Sequence, residues 1–409
     1  MGRKEQLTER KEYNRKTMLG KRILKRPFFY DWANDDDTVY FSMRYYNALC
    51  RANLRNDQVE IMATFPGISN DKGNEYFGIY KYKNYLLLGP SRSTDDFLIY
   101  DISNSQFQRL PNEGENSFYS IRVFENSNCL YTVSTKTAEV NRIDLQDFSV
   151  KRMVCDELFI DDAQVMNVAK VDNLIYIPVN QKKKMLIFNT KQEEFQYCDF
   201  PCNISLIATI YFYNDKFWIT GETEKIYAWD INKTEAQEVI NIPDDVELYY
   251  ERNIWFGYSY IYNESLWLFP AFANTILKYD ILTKKLDKFE LAGEEESIEK
   301  IEEELTNGRP FAIKYGIVKR YKNRLFFLSS KTRIFYELDL FANNVYGHDL
   351  QMINVYNNQI YPPLANGIMS EANYDLQSLI RIMKYTTNVE IRGNGIMGKT
   401  IYSNINKQN

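Results

Sequence analysis

Few residues in this chain could do chemistry, and their spacing decides more than their number. The segment GNGIMGKT (Gly393–Thr400) formally matches a phosphate-binding loop, with Lys399 and Thr400 in the phosphate and magnesium places. Such a loop works because its amides cradle phosphate at the start of a helix backed by a parallel sheet. Only nine residues follow Thr400, and the flanking VEIR and TIY read as strands, so a hairpin turn is expected instead. Cys198 and Cys202 are spaced CxxxC, but a structural zinc needs two more matched ligands, and His348 is the sole histidine. Both thiols are expected to be ordinary small core residues. One histidine also excludes Ser-His-Asp, Cys-His and two-histidine metal chemistries. Carboxylate-pair chemistry stays open, because it needs only two Asp or Glu at a set separation. Among 55 acidic residues the sequence nominates no such pair. No catalytic residue, metal ligand or cofactor is therefore expected, and the balance lies toward a non-enzyme.

Composition bounds what could position a site. The chain has 409 residues, 44% of them hydrophobic, which is enough apolar surface to exclude disorder. Five cysteines are too sparse for a disulfide scaffold. The N-terminus lacks the apolar stretch of a secretory signal, and no run of 18 uncharged apolar residues occurs. The expected compartment is the cytoplasm, with the cysteines reduced. Gln6 stands where a myristoylation signal has Ser or Thr. Residues 1–26 carry a net charge of +7, which leaves −12 on the rest of a chain whose total is −5. A basic arm on an acidic body reads as a solvated leader or a body-docked helix, with peripheral contact to an anionic membrane as the alternative. No specific nucleic-acid partner is expected.

The elements come from a repeat. A short apolar run recurs as TVYFSM (from Thr38), YLLLGP (Tyr85), CLYTVS (Cys129), LIYIPV (Leu174), FWITGE (Phe217), LWLFPA (Leu266) and LFFLSS (Leu325). Each is followed by a second strand that ends in a turn centred on Asn53, Asp101, Asp144, Asn189, Asp230, Asp280 or Asp339. The mean spacing of these centres is about 48 residues. A further strand follows each turn, as in QFQRLP, and another precedes each unit, as in YFGIYKY and IATIYFY. Four β-branched and aromatic strands per unit, at a period of roughly 40–50, are the signature of a propeller blade. The expected fold is all-β: a seven-bladed β-propeller of four-stranded antiparallel blades over residues 27–365. GEEESIEKIEEELTNG (293–308) reads as a helical insert, and SEANYDLQSLIRIMKY begins a C-terminal helix and tail over 366–409.

The endings IYDISNSQFQRLP, AWDINKTEAQEVINIP and KYDILTKKLDKFEL resemble the kelch-type propeller families over roughly residues 27–350. Kelch units carry Gly-Gly after the second strand, where this chain has GP, VS, PV, GE or SS. Trp229-Asp230 is the one Trp-Asp pair, so WD repeats match less well. The resemblance implies a fold and an interaction role and carries over no catalytic residue. Having only His348 also excludes the histidine-dependent virginiamycin-lyase type of propeller. SNDKGNEY (Ser69–Tyr76) fits the Asp-box of sialidase-type propellers, but it occurs once and between blades, where chance is the better reading.

Propellers commonly bind at the edge made by the second-to-third and blade-to-blade connections. There the sequence places nine basic residues: Arg44, Arg92, Lys136, Lys182, Lys183, Lys184, Lys225, Lys331 and Arg333. Five acidic ones accompany them, which gives a net +4 rim on an acidic body suited to an anionic partner. Tyr76, Tyr119, Trp255 and Phe256 are the aromatics expected at the channel, where they stack on sugar rings or serve as blade packing. The leading expectation is a non-enzymatic binding or scaffold propeller that engages a protein or an anionic small molecule at this basic rim. The alternative is a carbohydrate-binding or carboxylate-dependent carbohydrate-active propeller.

Overall fold

A computed structural model describes residues 26–44, 47–67, 76–90, 96–110, 120–126, 128–160, 162–248, 254–294 and 313–352. Most of the basic arm, Arg92, Tyr119, most of the helical insert, the C-terminal helix and tail, and Gly393–Thr400 lie outside these residues. Seven four-stranded antiparallel sheets follow one another in chain order, over 32–63, 76–110, 120–153, 169–199, 207–241, 256–289 and 315–348. Each is a simple meander from first to fourth strand. The chain is a seven-bladed β-propeller.

Burial separates the strands by role. The second strands, such as Tyr85–Pro90, Leu174–Val179 and Arg324–Ser329, are buried at every residue after the first. Neighbouring blades cover both of their faces, so they read as unbroken apolar runs. The fourth strands, such as Gln106–Leu110 and Glu194–Asp199, lie at the perimeter and are largely open to solvent. Seven aligned turns join third to fourth strands. Asn53, Asp101, Asp144, Asn189, Asp230, Asp280 and Asp339 each accept a hydrogen bond from the backbone N–H two residues on, at 2.8–3.0 Å. This is the Asx-turn that the Asn/Asp spacing predicts.

Tyrosine hydroxyls tie one blade to the next. Tyr80 donates to Glu125 at 2.7 Å, Tyr131 to the Thr190 carbonyl at 3.0 Å, and Tyr213 to Glu264 at 2.7 Å. Tyr260 donates to the Val318 carbonyl at 2.5 Å, and Tyr321 to Asp36 at 3.3 Å.

Each four-stranded meander is built from contiguous chain, and a short strand from beyond blade seven joins the sheet of blade one to close the ring. Phe335 of the seventh blade packs at 5.6 Å from Phe29 and 5.1 Å from Trp32, between ring centroids. Gln351–Met352 adds a fifth strand to the first blade, parallel to Gln58 and Val59. Arg26 grips Asp349 through Nη2 at 2.8 Å and Nε at 2.5 Å, and donates to the Thr332 carbonyl at 2.8 Å.

Candidate functional site

Alternation of strand direction puts the second-to-third and blade-to-blade connections on one edge of the ring, here the connection edge. The basic residues expected there are spread along it and held in different ways. Lys182 and Lys183 are exposed at a 3-10 turn over Asn180–Lys182, which ends with Lys183 in a left-handed conformation (φ 52°). The half-buried Lys136 is joined to this turn through the intervening connection. Its carbonyl accepts from Ala163 N at 2.5 Å, and Gln164 O accepts from Asn180 Nδ2 at 2.6 Å. A second group surrounds Phe28, with the Arg44 guanidinium 5.6 Å and the Arg333 guanidinium 5.2 Å from that ring. Arg333 is buried, and Lys331 beside it is half-buried. Lys184 and Lys225 are neutralised across their hairpins, by Asp199 at 2.7 Å and Glu238 at 2.6 Å.

The blade-to-blade connections on the same edge are acidic. Asp156, Glu157, Asp162, Asp244, Asp245, Glu247, Glu290 and Glu294 belong to them, against Lys314 among the described residues. The edge is therefore patterned in charge. It carries a basic arc over blades three and four, an arginine group at the junction of blades seven and one, and an acidic sector at blade five.

That sector holds a groove of about 1080 Å³ between the 200–206 connection, the second-to-third loop of blade five and the 242–248 connection. Ala236 N donates to Pro201 O at 2.6 Å and Ile242 N to Glu224 O at 2.7 Å, which fixes its walls. Glu222 is committed to the scaffold, because it accepts from Ser205 N and Oγ and from Leu206 N at 2.5–2.7 Å. Gly221 stands where a Cβ would come within 2.1 Å of the Leu206 carbonyl oxygen, so a larger residue does not fit.

Three of the four aromatic residues expected at the channel are described, and they sit elsewhere. Tyr76, Trp255 and Phe256 are buried, with Tyr76 packed 4.8 Å from Phe65. The channel cavity, about 630 Å³, is lined among the described residues by first strands of six blades and lies toward the opposite edge, late in those strands. Its rings are Trp32, Tyr80, Tyr211, Phe212, Tyr260 and Tyr321. Their signal was present in the recurring Tyr-x-Tyr strand endings Tyr80–Tyr82, Tyr211–Tyr213 and Tyr260–Tyr262. First strands are edge strands whose inner peptide groups face the axis, and side chains satisfy several of them. Lys319 donates to the carbonyls of Trp32 at 2.6 Å and Ile79 at 3.1 Å and pairs with Asp31. Among the described residues no acidic one lines this cavity.

His348 lies on the fourth strand of blade seven, away from both cavities. Its Nδ1 is 2.8 Å from Asp57 Oδ1 and its Nε2 3.6 Å from Glu337 Oε2. Cys202 has its thiol pushed up to about 12, by burial first and by the charge of Glu222 second. Burial likewise raises Cys198, with Asp199 adding to it. Both are protonated thiols at neutral pH. Among the described residues no group of three or more His, Cys, Asp or Glu is placed to hold a metal, and no helix is long and apolar enough to cross a membrane.

No family profile and no curated protein matches this chain. Solved structures do. A catalytically inactive His-to-Ala variant of virginiamycin B lyase from Staphylococcus aureus, with quinupristin, is similar at a TM-score of 0.54 and 12% identity. The match covers 76% of this chain and 93% of that one. YCF48 bound to D1 peptide is similar at 0.53 and 9% identity, over 76% and 92% of the two chains. PorZ, a type-IX secretion component of Porphyromonas gingivalis, is similar at 0.50 and 12% identity, over 80% of this chain and 38% of that one. At these identities the likeness is one of fold.

Proposed function

We propose that this chain is a non-enzymatic, divergent kelch-like propeller of the cytoplasm that binds a partner protein or anionic ligand at its connection edge. The observation that carries this reading is the basic arc of Lys136, Lys182 and Lys183. Two of these ammonium groups are exposed on a turn pinned by hydrogen bonds, and the arc stands on a body of opposite net charge. A rigid, exposed cationic arc is suited to steering an acidic segment onto the edge. YCF48, a propeller of similar fold, has been solved with a peptide bound, which supports protein partners as a class. In fluorescence anisotropy with a fluorescein-labelled Glu/Asp-rich peptide, Lys136→Glu, Lys182→Glu and Lys183→Glu combined should weaken binding roughly tenfold or more, and less so at high salt. Undiminished binding in a variant that melts like the parent would sink this reading.

A carbohydrate ligand is the second reading, favoured by the half-buried Tyr211 and Tyr260 rings, 5.8 Å apart at the channel. This reading favours a binder there over a carboxylate-pair enzyme, because the described lining residues include no acidic side chain.

A further inference from the structure

The blade-five groove differs from the rest of the connection edge in chemistry and shape. Its floor is apolar, with Trp255, Ile242 and Leu248 among the lining residues. Its walls carry Glu224, Glu235 and Asp244, all exposed, and none has an ion-pair partner among the described residues. Among the described residues the lining carries one cation, Lys225, and it is already neutralised by Glu238 at 2.6 Å. An apolar floor with unopposed carboxylates above it matches a segment that is apolar at one position and cationic on either side.

The backbone offers a second handle. Glu238 and Asn241, which line the groove, belong to Gln237–Asn241, the outermost strand of its sheet, with one edge unpaired among the described residues. In the first blade of this same molecule the equivalent outer strand already accepts a parallel fifth strand, Gln351–Met352. Outer strands of this ring are therefore competent to receive an added strand.

We propose that the groove docks a Lys/Arg-rich segment of a partner protein, extended along Gln237–Asn241, with one bulky apolar side chain seated over Trp255 and Leu248. This rests on reading the connection edge as a partner-binding surface, but it assigns another sector and the opposite charge. An acidic segment would meet three like charges here. A purely apolar segment would cover those carboxylates without pairing them, which is unfavourable.

The test uses the full chain and a fluorescein-labelled peptide of Lys and Arg around a central Trp-Leu pair, read by fluorescence anisotropy. Glu224→Lys, Glu235→Lys and Asp244→Lys combined should weaken binding roughly tenfold or more, since all three side chains are exposed and the fold should be kept. Replacing Trp-Leu by Gly-Gly in the peptide should cost roughly tenfold as well, through loss of apolar burial. The proposal fails if a normally melting triple variant binds as before, or if the Gly-Gly peptide binds equally well, which would mean charge attraction without docking. It also fails if neutralising Lys4, Arg10, Lys11, Arg15 and Lys16 to Gln raises affinity, because the groove would then belong to this chain's own arm. The Lys182→Glu, Lys183→Glu variant should keep the basic peptide and lose the acidic one. Loss of each capture on its own therefore tells failure of the groove from failure of the basic arc.

Discussion

His348 joins the two ends of the ring through charge. Asp57 from the first blade meets its Nδ1, and Glu337, with Arg324 at 3.1 Å behind it, faces its Nε2. Asp349 N donates to Asp57 Oδ2 at 3.2 Å, and Arg26 holds Asp349. Burial opposes the imidazolium, yet the hydrogen bonds and charges of Glu337 and Asp57 outweigh it and raise His348 above its ordinary 6.5. For Glu337, burial pushes upward, but His348 and Arg324 prevail and hold it below its ordinary 4.5. A raised histidine stabilises fully below its unfolded value and loses that contribution as pH rises through the folded one. A depressed glutamate stabilises above its unfolded value and loses that contribution as pH falls through the folded one. The seam is thus expected to be strongest from about 4.5 to 6.5, between the two ordinary values. Melting temperature should decline from pH 6 to pH 9, and His348→Gln should flatten that decline. An unchanged slope in the variant would remove His348 from the clasp. Such a role was hidden in the sequence, where a lone histidine reads only as an exclusion, because its partners lie nearly three hundred residues away at Asp57 and eleven residues back at Glu337.

At the scale of elements, legibility tracked burial. Second strands are covered on both faces, so selection for apolar residues left unbroken runs such as YLLLGP and LFFLSS. The Asx-turns were legible because a local side-chain-to-backbone bond fixes its own sequence requirement. The first strand of blade one, Trp32–Asp35, carries little signal of its own because WAND is short and half polar. It is a strand because Thr38–Ser42 pairs with it and Phe335 covers its tryptophan. The candidate site was legible in part. The order of basic loops could be read, but not that Lys184 and Lys225 meet Asp199 and Glu238 on following strands, nor that separate acidic connections converge at blade five. The turns offer a direct check. Asn189 accepts from Lys191 N at 2.9 Å and Gln192 N at 3.1 Å. Asn189→Ala should cost about 1 kcal/mol in urea unfolding, while Asn189→Asp should be nearly neutral, since Asp fills the same place in five other blades. Equal losses in both variants would mean the turn does not depend on that oxygen.

At the scale of the whole molecule, closure decides how stability is shared. An open stack of repeats behaves as a row of nearest neighbours and can fray from either end. Here blades one and seven are the ends of the row, and they are joined by Phe29, Trp32 and Phe335, by the Gln351–Met352 strand, and by Lys319 bridging carbonyls of blades one and two. Phe335 is fully buried, and its removal leaves a cavity at the seam while the interfaces between blades three to six stay untouched. Phe335→Ala should therefore cost about 3–5 kcal/mol. Its effect should also be uneven. Hydrogen exchange should speed up in Trp32–Asp35 and Tyr315–Tyr321 well before Ile207–Tyr213, which lies across the ring. An equivalent cavity away from the seam, as in Phe217→Ala within blade five, should spare the closing strands at matched stability. If Phe335→Ala instead accelerates exchange equally in all seven blades, the ring opens only as one cooperative unit and the seam is not its weak point.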